Sequence, residues 1–456
     1  MTPGSLSWLG ILRLGLVQTA LGAIVVLTTS TMNRVMVVEL ALPAMLPGAL
    51  VAFHYAVQVL RPRWGYGSDV GGRRTPWIVG GMAALALGAV LAAVATALMA
   101  GRPTAGIILA GLAFALIGGG VGAAGTSLLV LLATLVAPAR RAAAATAVWL
   151  MMIAGMMVTA MLAGLLLDPF SLSRLIAVTG LVAGVAFAVT LVAVWRVEGA
   201  GAAAAGRAPS PSPAPKPRFR EALAQVWAEP QARRFSIFVF VSMLAYSAQD
   251  LILEPFAGAV FGMTPGESTQ LAGVQHGGVL LGMILVAVAG SAFGRGRAGA
   301  LRSWAVAGCV LSAAALFTIA AGGFIGPGFP LVLAVFALGV ANGAFAVAAI
   351  ASMMSLVAAG RASREGTRMG LWGAAQALAF GLGGFVGTAA IDLTRALFDS
   401  PALAYAVVFG AEALLFLIAG LLATGVGPSE AKSGAKRLAP RAPGLAEGYA
   451  ADLGGR

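Results

Sequence analysis

Charge is scarce in this sequence: 10% of its 456 residues are Asp, Glu, Lys or Arg, where a soluble domain carries about 25%. So thin a polar coat cannot cover a water-facing surface, and a soluble globular protein is excluded. Cysteine is scarcer still. Cys309 stands alone in an apolar run, which rules out a disulfide framework and a CxxC metal site. Phosphate-binding chemistry is missing too, because Gly118-Gly-Gly-Val-Gly122 sits inside an apolar stretch without the Lys-Ser/Thr of a nucleotide loop. No Gly-x-Ser-x-Gly accompanies a His and an acid, and no metal box appears, so nothing points to an enzyme. No cleavable leader is expected, because the apolar stretch after Arg13 is too long for one and has no obvious Ala-x-Ala exit.

What the chain has instead is apolar length. Hydrophobic residues make up 60% and the mean hydropathy is +0.94. A membrane-crossing helix needs about 20 apolar residues, and the pattern predicts twelve of them. They lie near 12–36, 46–61, 77–100, 105–135, 143–167 and 172–195, then 235–258, 268–292, 301–322, 328–357, 369–391 and 402–425. The chain thus divides into an N-terminal six-helix half over 1–195, a cytoplasmic linker over 196–234, a C-terminal half over 235–426 and a cytoplasmic tail over 427–456. The linker runs through Pro-Ser-Pro-Ser-Pro-Ala-Pro-Lys-Pro and reads as disordered or polyproline-like. Phe219 to Trp227 could lie on the membrane surface as a short amphipathic helix, and the polar tail reads as disordered.

The net charge of +13 would suit nucleic acid if it formed a face, but it does not. With the N-terminus inside, 25 of the 29 Lys and Arg fall in cytoplasmic segments, leaving Arg34, Arg102, Arg174 and Arg395 outside. That asymmetry predicts a multi-pass protein with both termini cytoplasmic and no nucleic-acid partner. Two sets of six also predict an internal repeat. An offset of 222 residues sets His54 on His276 and Arg73 on Arg295, and Gly290 to Arg297 weakly echoes the loop after span two. Pairs of small residues four apart, such as Gly118/Gly122, Gly180/Gly184, Gly278/Gly282, Gly339/Gly343 and Gly383/Gly387, predict close helix contacts.

Few polar groups lie within the spans, and each is a candidate for function. His54 in span two and His276 in span eight are the only imidazoles. An intramembrane imidazole can ligate a metal or relay a proton; the plainer reading is an interhelical hydrogen bond. Arg34 and Glu39 close span one, five residues apart and so too far for the best pairing on an α-helix. Span seven carries Gln249, Asp250 and Glu254, the two acids four apart on one face, with Pro255 expected to bend the helix end. Arg34 is therefore expected against Asp250 or Glu254. Glu412 sits mid-span in helix twelve, where it must snorkel, pair or be protonated. Asp392, Arg395 and Asp399 read as an ordinary outer loop.

Between spans two and three stands Gly65-x-x-x-Asp69-x-x-Gly72-Arg73-Arg74. Glycines let helix ends approach, the acid can cap a helix or hold an Arg, and the arginines fix the loop on the cytoplasmic side. The motif resembles that of the major facilitator superfamily, with Gly67 where the superfamily usually has Leu. Within that superfamily the chain resembles the PucC/LhaA family. The likeness rests on Asn33-Arg34-Val-Met-Val-Val-Glu39, on Gly72-Arg73-Arg74-Thr75-Pro76-Trp77, and on Gln249-Asp250-Leu-Ile-Leu-Glu254-Pro255-Phe256 with Val260-Phe261-Gly262. Phe53-His54-Tyr55 and the stretch from Arg61 to Gly67 look closer to the subgroup named for a 44.5 kDa bacteriochlorophyll synthase chain. Even so, no residues suited to prenyl transfer are present.

The resemblance implies a major facilitator fold in the bacterial inner or intracytoplasmic membrane. It also implies assembly of photosynthetic light-harvesting complexes by handing bacteriochlorophyll to antenna polypeptides, with bacteriochlorophyll synthase as a further partner. Transiently bound pigment needs one axial ligand on its magnesium, and His54 and His276 are the candidates for it. Two other readings stay open. One is a secondary transporter of a small solute, coupled to protons through Asp250, Glu254 or Glu412; the other is a scaffold for synthase and antenna subunits that moves nothing. The paucity of mid-span Asn, Gln and Tyr argues for an apolar ligand or for entry from the lipid.

Overall fold

The computed structural model describes residues 6–60, 73–137, 140–198, 227–293, 298–359 and 365–425. Among these residues the chain forms twelve long helices that cross back and forth, joined at one end by tight turns. They are α1 (Trp8–Glu39), α2 (Met45–Leu60), α3 (Thr75–Met99), α4 (Pro103–Leu135), α5 (Arg141–Leu167) and α6 (Leu172–Val194), then α7 (Pro230–Phe261), α8 (Pro265–Phe293), α9 (Ala298–Ile325), α10 (Leu331–Ala359), α11 (Glu365–Leu397) and α12 (Pro401–Thr424). Eleven are long and apolar enough to span a bilayer, and Met45–Leu60 is a shorter apolar helix. The observed helices overrun the predicted ones, α7 by five residues at its start. The expected linker, surface helix and tail fall mostly outside the described residues.

Each half repeats one plan. In the first, α1 packs on α5 and α6, α3 on α4 and α6, and α2 on α4; in the second, α7 packs on α11 and α12, α9 on α10 and α12, and α8 on α10. The halves meet where α2 packs on α11 and α5 on α8. This is the two-fold arrangement the 222-residue offset anticipates. Glycine makes the closest crossings possible. A Cβ on Gly282 would stand 2.1 Å from the Val340 carbonyl oxygen, and one on Gly343 would stand 2.0 Å from that of Val279, so α8 and α10 interlock backbone to backbone. Gly180 and Gly184 instead have nothing within 4 Å, so this pair makes no helix contact of that kind.

α1 is not a plain α-helix. Leu27–Thr31 and Val35–Glu39 are π turns, with Met32 N–H bonding the Leu27 carbonyl and Leu40 N–H that of Val35. Bonds from i to i+5 stack residues five apart, and such wide turns gather at functional sites.

Candidate functional site

The far end of the molecule, opposite the N-terminus, is where α1 and α7 meet, and one proline organises the meeting. Pro255 lies inside α7, which runs on to Phe261 instead of bending to its end there. Lacking an N–H, Pro255 leaves the carbonyl four residues back, that of Leu251, without its helical partner. Asn33 of α1 supplies the missing donor through Nδ2. One turn away, the Ser30 hydroxyl donates to Glu254 Oε1, and Thr31 and Thr269 share a hydrogen bond of 3.0 Å.

Arg34 does not pair with Asp250 or Glu254 as expected. Its Nη1 holds Glu39 of its own helix, and its Nη2 donates to the Met263 carbonyl at 2.6 Å. The π turn over Val35–Glu39 explains the correction, since it brings side chains five apart onto one face. α7 makes room for the guanidinium with Gly258, where a Cβ would come within 2.8 Å of Nη2. Gly262, at φ +69°, then ends the helix in a left-handed cap, with Gly262 N–H on the Gly258 carbonyl and Met263 N–H on that of Ala257. That turn aims the Met263 carbonyl at Arg34. Thr264 and Glu267 follow as a reciprocal capping box, Thr264 N–H to Oε2 at 2.9 Å and Glu267 N–H to Oγ1 at 3.1 Å, and start α8.

Two more acids act at this end, both missed from sequence. Asp392 belongs to α11, not to a loop, and its carboxylate accepts from Ala44 N–H at 2.8 Å and Met45 N–H at 2.7 Å, capping α2 across the halves. Asp168 accepts from Thr264 Oγ1 at 2.8 Å. At the opposite end Glu198 accepts from Arg74 N–H at 2.7 Å and Thr75 N–H at 3.0 Å, capping α3. Arg73 is exposed there and Arg74 half-buried; Gly65, Asp69 and Gly72 of the loop motif lie outside the described residues.

Both imidazoles are buried, His54 at 2% exposure and His276 at 5%. His54 Nε2 lies 2.9 Å from Gln58 Nε2, and His276 Nδ1 lies 2.7 Å from the Ala272 carbonyl, so each ring is tied to its own helix. An apolar hollow of about 540 Å³ opens between Phe261, Met263, Val274, Phe329, Leu333 and Phe336, and neither His lines it.

The remaining predicted groups gather deeper on α7. Asp250 is half-buried and its Oδ1 accepts from Gln275 Nε2 at 3.3 Å. Gln249 is fully buried and neither side-chain polar atom finds a partner among the described residues. Glu412, 2% exposed, likewise has two carboxyl oxygens without a hydrogen bond among the described residues. Among the described residues the interior thus holds three buried or half-buried carboxyls, those of Asp250, Glu254 and Glu412, and one buried guanidinium, that of Arg34.

With this geometry in hand, comparison with known proteins settles the family. Residues 31–431 match the model of the PUCC protein family. The chain belongs to the PucC family. It is 55% identical over 422 residues to the bacteriochlorophyll synthase 44.5 kDa chain of Rhodobacter capsulatus, covering 92% of this chain and 96% of that one. It is 31% identical over 428 residues to protein PucC of the same species, covering 90% of each. Solved structures with the same fold include a D-xylose–proton symporter, at TM-score 0.66, 15% identity and coverage of 92% and 97%, and the nucleoside transporter NupG, at TM-score 0.64, 12% identity and coverage of 91% and 99%. The PucC family member described here is therefore a multi-pass, all-helical membrane protein with a major facilitator fold. Two of the three stretches that carry its family likeness, those around Asn33-Arg34 and around Glu254-Pro255, turn out to be each other's partners.

Proposed function

We propose that this PucC family member serves the assembly of bacterial light-harvesting complexes by binding bacteriochlorophyll and passing it to antenna polypeptides in the inner membrane, with both termini in the cytoplasm. The observation that carries the reading is the 55% identity, over nearly the whole chain, to a relative named for bacteriochlorophyll synthesis. The interior supports it, being greasy apart from a few acids and amides, and so suited to a chlorin with an isoprenoid tail. We read the chain as a carrier and not as the synthase itself. In that role the synthase is the donor and the antenna helix the acceptor.

The test is to purify the tagged full chain from a pigmented phototroph and record its absorption spectrum. Co-purifying bacteriochlorophyll in about stoichiometric amount is the expected result. A colourless protein that brings down antenna or synthase subunits supports a scaffold instead, and proton-driven solute uptake by vesicles holding the pure protein supports transport.

A further inference from the structure

α7 packs against α1, α8, α11 and α12, and side chains along its middle are left partly accessible. Tyr246 and Asp250, one turn apart on α7, are both half-buried, as are Tyr55 of α2 and Phe380 of α11. The rings of Tyr55, Tyr246 and Phe380 form a tilted cluster that spans the two halves, with Tyr55 and Phe380 at 5.5 Å between centroids and 49° between planes, and Tyr246 and Phe380 at 5.9 Å and 52°. One ring at a time can therefore face a flat ligand. Gln275 of α8 holds one oxygen of Asp250 from the side. Here a carboxylate and a partly accessible aromatic surface coincide. The two imidazoles are more deeply buried and tied to their own helices, His54 packing against the ring of Tyr55 at 4.7 Å between centroids.

A flat aromatic ring system stacks on one such ring at centroid distances of about 4.5–7 Å. Magnesium is a hard cation that prefers oxygen ligands, and Asp250 offers its second oxygen, the first being held by Gln275. We propose that Asp250, and neither histidine, is the ligand by which the interior grips a magnesium-bearing aromatic macrocycle, with Tyr55, Tyr246 and Phe380 as the aromatic surface and Gln275 holding the carboxylate in place. The proposal rests on the pigment-carrying reading above. A single oxygen ligand, with no second protein group closing around the metal, suits cargo that must leave again.

The experiment titrates the detergent-solubilised full chain with bacteriochlorophyll a and, in parallel, with bacteriopheophytin a, the same macrocycle without magnesium, following quenching of the intrinsic tryptophan fluorescence. Wild type is expected to bind the magnesium form at least tenfold tighter. D250N should lose that preference, its affinity for the magnesium form falling about tenfold while the metal-free form binds as before. F380L should weaken both forms alike, and H54L/H276L should keep the preference intact. Because the readout is a ratio within one protein, partial misfolding moves both pigments together and does not imitate the expected result. A D250N protein that retains the wild-type preference overturns the proposal, as does loss of the preference in H54L/H276L or a wild type indifferent to magnesium. Wild type that binds neither pigment overturns the pigment reading itself.

Discussion

The two halves share one packing plan and bury opposite chemistry. On the N-terminal side, the interior end of α1 offers Ser30, Thr31, Asn33 and Arg34, all of them donors. On the C-terminal side, α7 and α12 offer Glu254, Asp250, Glu412 and the Leu251 carbonyl freed by Pro255, all of them acceptors. Two copies of one fold have thus been made complementary at the seam, as in a dimer with unlike subunits. At the far end the donors of α1 clasp acceptors of α7 and its end, with Thr264 donating back to Asp168 as the exception. The acids left over, Asp250 and Glu412, mark where that clasp does not reach. A repeat can diverge this way at little cost because backbone packing, set by glycines, is independent of which polar groups face inward.

The largest way to break the contrast is to remove its one cation. Arg34→Leu should cost about 1.5–3 kcal/mol, as loss of a hydrogen bond to a charged group does, since Glu39 itself reaches solvent; the check is thermal unfolding in detergent, and a Tm within a degree or two of wild type would show that Glu39 and the Met263 carbonyl need no partner. Next comes the α8–α10 crossing, where Gly343→Leu should cost about 1–3 kcal/mol or more by overpacking, with lost expression of folded protein as the readout. Asn33→Ala should cost about 1–3 kcal/mol for the stranded Leu251 carbonyl. Here a double-mutant cycle sharpens the comparison: Pro255→Ala restores the helical N–H, so the Asn33→Ala penalty should shrink in that background, and strict additivity would contradict the assigned bond. Asp392→Asn should loosen the cap on α2 by about 1 kcal/mol, seen as faster hydrogen exchange at Ala44 and Met45. Smallest of all, Gly180→Ala should stay within about 0.5 kcal/mol, since its Cβ meets open space.

Much of the fold was legible in the sequence because bilayer thickness fixes span length and apolar runs are hard to misread. The twelve helices followed from the lengths of the apolar runs. The candidate site was legible only as a set of residues. Arg34, Glu39, Asp250 and Glu254 were found, but their pairing was not, because an ideal helix separates residues 34 and 39 and nothing in Val35–Glu39 signals a π turn. Pro255 was read as a bend at a helix end; its effect is on the carbonyl four residues earlier. Asp392 was read as loop because its partners, the bare N–H groups of Ala44 and Met45, belong to a helix start nearly 350 residues away in the chain. Side-chain-to-backbone capping across a fold leaves no local pattern to read.

The wide turns of α1 carry a practical consequence. On a wheel drawn at about 100° per residue, positions 34 and 39 stand roughly 140° apart, yet in the protein they touch. Past Leu27, then, the wheel loses phase with the molecule. Spin labels or cysteine pairs meant to report on the last part of this helix should be placed from observed contacts, such as that of Arg34 with Glu39, and not from the wheel.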